Sequence, residues 1–117
     1  MEREPTYFEF VRLPSFERTA AGIISEEEIR LLEQQLVADP RAGVVLAETG
    51  GVRKIRVARQ GRGKSAGARV AYLYVELKER IFLLLAFAKN QQPNLTAEQK
   101  RRMRELVKQI RNEGTNA

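Results

Sequence analysis

The chain contains no cysteine and no histidine. Without cysteine there can be no disulfide, thiolate metal site or thiol nucleophile, which excludes a disulfide-stapled extracellular scaffold. Without histidine, the common zinc ligand sets, the serine-histidine triad and the paired-histidine route to RNA cleavage fall away. Long apolar stretches are missing too: the longest, Ile81 to Ala88, is far too short to span a bilayer. The first residues, Met1-Glu2-Arg3-Glu4-Pro5, are charged where a signal peptide would be apolar. A cytoplasmic protein with no membrane partner is expected.

What remains is a chain of 117 residues, 43% hydrophobic and 31% charged, enough to bury one modest core. A single domain over residues 1–117 is expected. The net charge of +6 is unevenly placed. Between Thr49 and Val75 stand seven basic residues, Arg53, Lys54, Arg56, Arg59, Arg62, Lys64 and Arg69, and no acidic one. Taking those seven from 21 leaves 14 basic against 15 acidic residues elsewhere, so the excess is local. Cations gathered on one surface are what binding a polyanion requires.

Hydrophobic periodicity places these cations on structure. Thr6 to Leu13 predicts a strand and Ser15 to Gly22 a short helix. Ser25 and Glu28 have the spacing of a capping box, and Ile29, Leu32 and Leu36 continue as a helical stripe until Asp39-Pro40. Val44-Val45-Leu46, in a turn-rich stretch, fits either a short strand or a packed loop. From Val52 to Arg59 alternation puts Lys54 and Arg56 on one face and Ile55 and Val57 on the other. The glycine-rich basic segment Gly61 to Gly67 predicts a loop. Arg69 to Leu77 and Arg80 to Ala88 predict a hairpin, the second strand buried on both faces. Thr96 and Gln99 repeat the capping-box spacing before the stripe Met103, Leu106, Val107 and Ile110. This order predicts an α+β fold: an antiparallel sheet, helices mainly on one face, and a C-terminal helix.

Several motifs reduce to ordinary structure. Gly63-Lys64-Ser65 resembles the end of a phosphate-binding loop, but Ala58 stands where that motif needs glycine, and a strand follows instead of a helix. Glu26, Glu27 and Glu28 open a helix, where negative charge is favoured; Glu76 and Glu79 flank a turn. Tyr72 and Tyr74 share a strand face and suit either packing or stacking on unpaired bases. The cations of the last helix, Lys100, Arg101, Arg102, Arg104 and Lys108, read as a solvated surface.

A basic cluster can do chemistry on RNA, which carries its own nucleophile in the 2′-OH. The protein must remove that proton, neutralise the phosphorane and protonate the leaving 5′-oxygen. A lysine crowded by other cations serves as a base, and arginines hold the growing phosphate charge. Lys54, Arg56 and Arg69, joined by Lys89 at the end of the next strand, are the candidate catalytic residues. Lys54 is the leading base and the arginines are the phosphate clamps. Arg53, Arg59, Arg62, Lys64 and Asn90 are candidate RNA-binding residues.

The stretches Gly50-Gly51-Val52-Arg53-Lys54-Ile55-Arg56-Val57-Ala58 and Gly61-Arg62-Gly63-Lys64-Ser65-Ala66-Gly67-Ala68-Arg69-Val70 resemble toxins of the RelE superfamily, specifically the HigB-like branch of type II toxin-antitoxin pairs. Leu83 to Asn90 and the polar turn before Leu95-Thr96 fit the same pattern. The resemblance implies a compact microbial ribonuclease-type fold and cleavage of messenger RNA in the A site of the 70S ribosome. It also implies neutralisation by a cognate helix-turn-helix antitoxin, with no cofactor or metal. Lys54, Arg56, Arg69 and Lys89 fall where members carry functional basic residues. One difference is that no tyrosine stands between the last strand and the final helix, where the best-studied branch has a catalytic one. The alternatives are a noncatalytic RNA- or ribosome-binding protein and a module that meets an acidic protein partner.

Overall fold

A computed structural model describes residues 8–57, 67–88 and 94–113. In chain order the elements are β1 (Glu9–Arg12), α1 (Pro14–Ala20), α2 (Glu26–Ala38), β2 (Val44–Val45), β3 (Arg53–Val57), β4 (Ala68–Val75), a 3-10 turn (Glu76–Lys78), β5 (Arg80–Ala88) and α3 (Ala97–Glu113). The strands form one sheet in the order β1-β5-β4-β3-β2.

Local chemistry sets the helix boundaries. At α2, Ser25 Oγ accepts from the Glu28 amide at 3.1 Å while Glu28 returns a carboxylate to the Ser25 amide at 2.8 Å. At α3, Thr96 Oγ1 accepts from the Gln99 amide at 3.1 Å and Gln99 Oε1 accepts from the Thr96 amide at 2.9 Å. Each box satisfies two amides that an uncapped helix leaves open. Pro14 opens α1, where its missing N–H costs nothing.

The sheet is mixed, because β1 runs parallel to β5 while the other pairs are antiparallel. After β1 the chain turns into α1, which lies along the same flank of β5. Ser15 Oγ donates to the Leu84 carbonyl at 2.6 Å, and Thr19 Oγ1 accepts from the Ala86 amide at 2.9 Å. These two side chains satisfy strand-edge groups beyond the reach of the short β1.

Both faces of the sheet are covered. Phe16, Ala20, Ile24, Ile29, Leu32 and Leu36, from α1, α2 and the turn between them, pack on Ile55, Val57, Val70, Tyr72, Ile81 and Leu83. Leu95, Met103, Val107 and Ile110 pack on the opposite face, against Val52, Leu73, Val75, Phe82 and Leu84. The helices therefore divide between the faces, where the sequence suggested mainly one. β4 and β5 are apolar on both sides, and α3 supplies the second cover. Burying each large apolar side chain stabilises the fold by about 1.5–3 kcal/mol relative to leaving it exposed.

The tail of α3 is held by polar contacts to main-chain oxygens. Arg104 donates to the Glu48 carbonyl at 2.7 Å, Arg111 to the Gly50 carbonyl at 3.3 Å, and Lys78 to the Ile110 carbonyl at 2.9 Å. On the other face, Arg12 joins β1 to α2 through Glu26 at 2.8 Å and Glu33 at 3.2 Å. The hydrogen bonds that it donates, first to Glu33 and then to Glu26, hold this guanidinium above the ordinary arginine range.

Tyr72 is fully buried. Its hydroxyl accepts from the Gly43 amide at 2.9 Å and donates to the Pro40 carbonyl at 2.9 Å. Burial pushes the phenol above its usual range, opposed by the Gly43 contact and by Arg53. Tyr72→Phe leaves the Gly43 N–H buried without an acceptor. A loss of about 1–2 kcal/mol in a urea titration is expected, with the fold retained.

Candidate functional site

The sheet register decides which cations meet. Arg56 of β3 stands directly opposite Arg69 of β4, and Lys54 opposite Ala71. Directly opposed residues project to the same face with Cβ atoms about 4.5–5.5 Å apart, and residues two apart on one strand share that face. Lys54, Arg56 and Arg69 therefore form one cluster, on the side of the sheet that carries α3. Beneath it, Ile55, Val57, Ala68 and Val70 fill the opposite core and fix both strands.

Arg56 is exposed, whereas Lys54 and Arg69 are half-buried. Like charges placed directly opposite one another destabilise a sheet pair. In addition, Arg69 Nη1 is buried and has no hydrogen-bond partner among the described residues. A buried, unsatisfied guanidinium nitrogen is costly, and an anion with several acceptor oxygens is the group that would satisfy it.

The structure does not bring Arg53 to this face. It is paired with Tyr72, and its guanidinium donates to the Gly43 carbonyl at 2.7 Å and the Arg41 carbonyl at 3.2 Å, fastening the β2 end of the sheet. Arg59, Arg62, Lys64, Lys89 and Asn90 lie outside the described residues. Tyr72 and Tyr74 are likewise on the α2 side. Tyr74 meets Phe8 edge to face at 5.6 Å and carries the Arg41 guanidinium 5.1 Å from its ring centre, so both rings serve packing. On α3, Arg101 pairs with Glu98 and Glu105, and Arg102 with Glu98, which makes them the solvated helix face that the sequence suggested. No group of three or more acidic side chains among the described residues is placed to hold a metal ion. No helix among them is long and apolar enough to cross a membrane.

One feature escaped sequence reasoning. The register between β4 and β5 shifts at Ala71/Tyr72: Ala71 pairs with Leu85 and Tyr72 with Leu83, which leaves Leu84 as the extra residue of a bulge. Leu84 and Leu85 consequently pack on the same face, breaking the alternation. They floor a groove of about 430 Å³ between α1 and α3, walled by Met103 and Leu106 and rimmed by Arg18 and Arg102. Nothing local in the sequence signals it, because its lining comes from three separate elements, α1, β5 and α3.

Comparison with known proteins agrees with this architecture. Residues 15–116 match the family model described as the RelE toxin of the RelE/RelB toxin-antitoxin system. A chain of the crystal structure of the intact E. coli RelBE toxin-antitoxin complex is similar in fold, with a TM-score of 0.52 at 15% identity, over 68% of this chain and 94% of that one. An arginine-to-alanine double mutant of E. coli RelE in the free state aligns with a TM-score of 0.48 at 15% identity, over 74% of this chain and 87% of that one. With the family model spanning nearly all of the described elements, the chain belongs to the RelE toxin family.

Proposed function

We propose that this chain is the toxin of a type II toxin-antitoxin pair, of the HigB-like branch, and that it arrests translation by cutting messenger RNA in the ribosomal A site. The observation that carries this reading is the register pair Arg56–Arg69 beside Lys54, with a buried Arg69 nitrogen that lacks a partner among the described residues. Such an arrangement is unfavourable for an isolated sheet and suited to a phosphate. In the proposed reaction Lys54 takes the proton from the 2′-OH. The 2′-oxygen bonds to phosphorus and the bond from phosphorus to the 5′-oxygen breaks. Arg56 and Arg69 hold the charge that develops on the phosphoryl oxygens. The departing oxygen takes a proton from a lysine ammonium, for which Lys89 is the candidate. The products are a 2′,3′-cyclic phosphate and a 5′-hydroxyl end.

The same reading makes the protein cytoplasmic, with a helix-turn-helix antitoxin as its neutralising partner. Membership of the RelE toxin family and the similarity to a chain of a toxin-antitoxin complex support an antitoxin partner. Brief induction in cells followed by mapping of message 5′ ends tests the activity. New 5′-hydroxyl ends in register with codons are expected on translated messages. Arrested translation with intact messages would favour the noncatalytic ribosome-binding alternative instead.

A further inference from the structure

We infer that the groove between α1 and α3 receives a nucleobase of the RNA whose phosphate lies on Lys54, Arg56 and Arg69. The inference rests on the RNA-binding reading above and adds a base-recognition subsite to it. Three observations point to this occupant.

Position comes first. Leu85 on the groove floor pairs with Ala71, which pairs with Lys54, so groove and cluster lie in one transverse row on one face. Two strand spacings separate them, about 10 Å, within reach of a neighbouring nucleotide. The second observation is chemistry. Leu84, Leu85, Met103 and Leu106 offer an apolar slot, and unstacked bases are held between apolar or planar side chains. The third is charge. Both rims carry arginine, and among the described residues no carboxylate lines the groove. Arg18 is exposed. Arg102 gives its Nε to Glu98 at 3.1 Å, and its side chain stays 74% exposed. A guanidinium plane can stack on a base or hold the phosphate beside it. The volume, about 430 Å³, sits toward the lower end of small-ligand sites, roughly 300–1,000 Å³.

The test is a titration of the full chain with short, 2′-O-methylated oligonucleotides, which bind but cannot be cut. An abasic residue is walked along the strand. Affinity of the parental chain should fall about tenfold when the missing base is the one that fills the groove. Leu106→Ser should weaken the intact oligonucleotide by a similar factor and abolish the abasic penalty. Arg69→Ala should weaken intact and abasic forms equally. Leu106 is half-buried, so Arg18→Ala, at an exposed position, serves as the second variant and should also reduce binding of the intact strand. Independently, 4-thiouridine at the sensitive position should crosslink to the α1 or α3 walls. Equal affinity for every abasic strand, or crosslinks confined to β3 and β4, would overturn the groove assignment and leave the RNA-binding reading standing. If the parental chain binds no oligonucleotide, the groove assignment falls, and the cleavage reading is decided separately by the 5′ ends mapped on translated messages.

Discussion

Arg69→Ala is expected to abolish growth arrest and to lower message cleavage on programmed ribosomes by roughly 100- to 1,000-fold, the usual consequence of removing one pre-positioned donor from a developing anion. The same substitution should leave the unfolding midpoint unchanged or slightly raised. It removes one of two cations held in direct cross-strand register and, with it, a buried nitrogen lacking a partner among the described residues. Opposite signs for activity and stability separate a site residue from a scaffold residue. Lys54→Ala should share the loss of arrest. If either variant halted growth as strongly as the parent, the chemistry assigned to this face would be wrong. Arg53→Ala, on the other face, should instead lower the unfolding midpoint, because its guanidinium fastens the Gly43 and Arg41 carbonyls.

The second large effect concerns Gly43. A Cβ built there would lie 2.8 Å from the Lys54 carbonyl oxygen and 2.8 Å from Tyr72 Cε1. Neither neighbour can give way easily: the first is backbone of a paired strand, and the second is a fully buried ring tied to Pro40. Gly43→Ala must therefore push the chain off β3 and break the Gly43–Tyr72 hydrogen bond. A loss of roughly 2–4 kcal/mol is expected, more than Tyr72→Phe alone. Gly22→Ala is the contrast. There the backbone has φ +78° but a Cβ meets nothing within 4 Å, so only the conformational cost remains, about 1 kcal/mol. Urea midpoints for the two variants check the ordering. Equal midpoints would mean that the Tyr72 cage is not as tight as described.

Much of this was legible from spacing. Period-two alternation in Arg53–Val57 put Lys54 and Arg56 together, and the partner strand beginning near Arg69 completed the cluster. The same alternation assigns Arg53 to the far side, a consequence hidden when the basic run is counted as one patch. Both capping boxes and both helix stripes could be seen because their interactions are local. The parallel pairing of β1, the sealing of the β5 edge by Ser15 and Thr19, and the Leu84 bulge could not be seen. The first two depend on residues about 70 positions apart, as with Ser15 and Leu84, and the third falls within an unbroken apolar run, Ile81 to Ala88, that carries no mark of where its register slips.

Three fastenings of α3 address carbonyl oxygens: Arg104 on Glu48, Arg111 on Gly50 and Lys78 on Ile110. A grip on the peptide itself is indifferent to which side chain that peptide carries. Glu48, unlike Gly50, where a Cβ would lie 3.3 Å from Val107 Cγ1 of the helix, can therefore change identity without loosening the helix, provided that its path is kept. The positive φ of Glu48, 64°, indicates which replacements keep it: asparagine or glycine should hold, whereas valine should not.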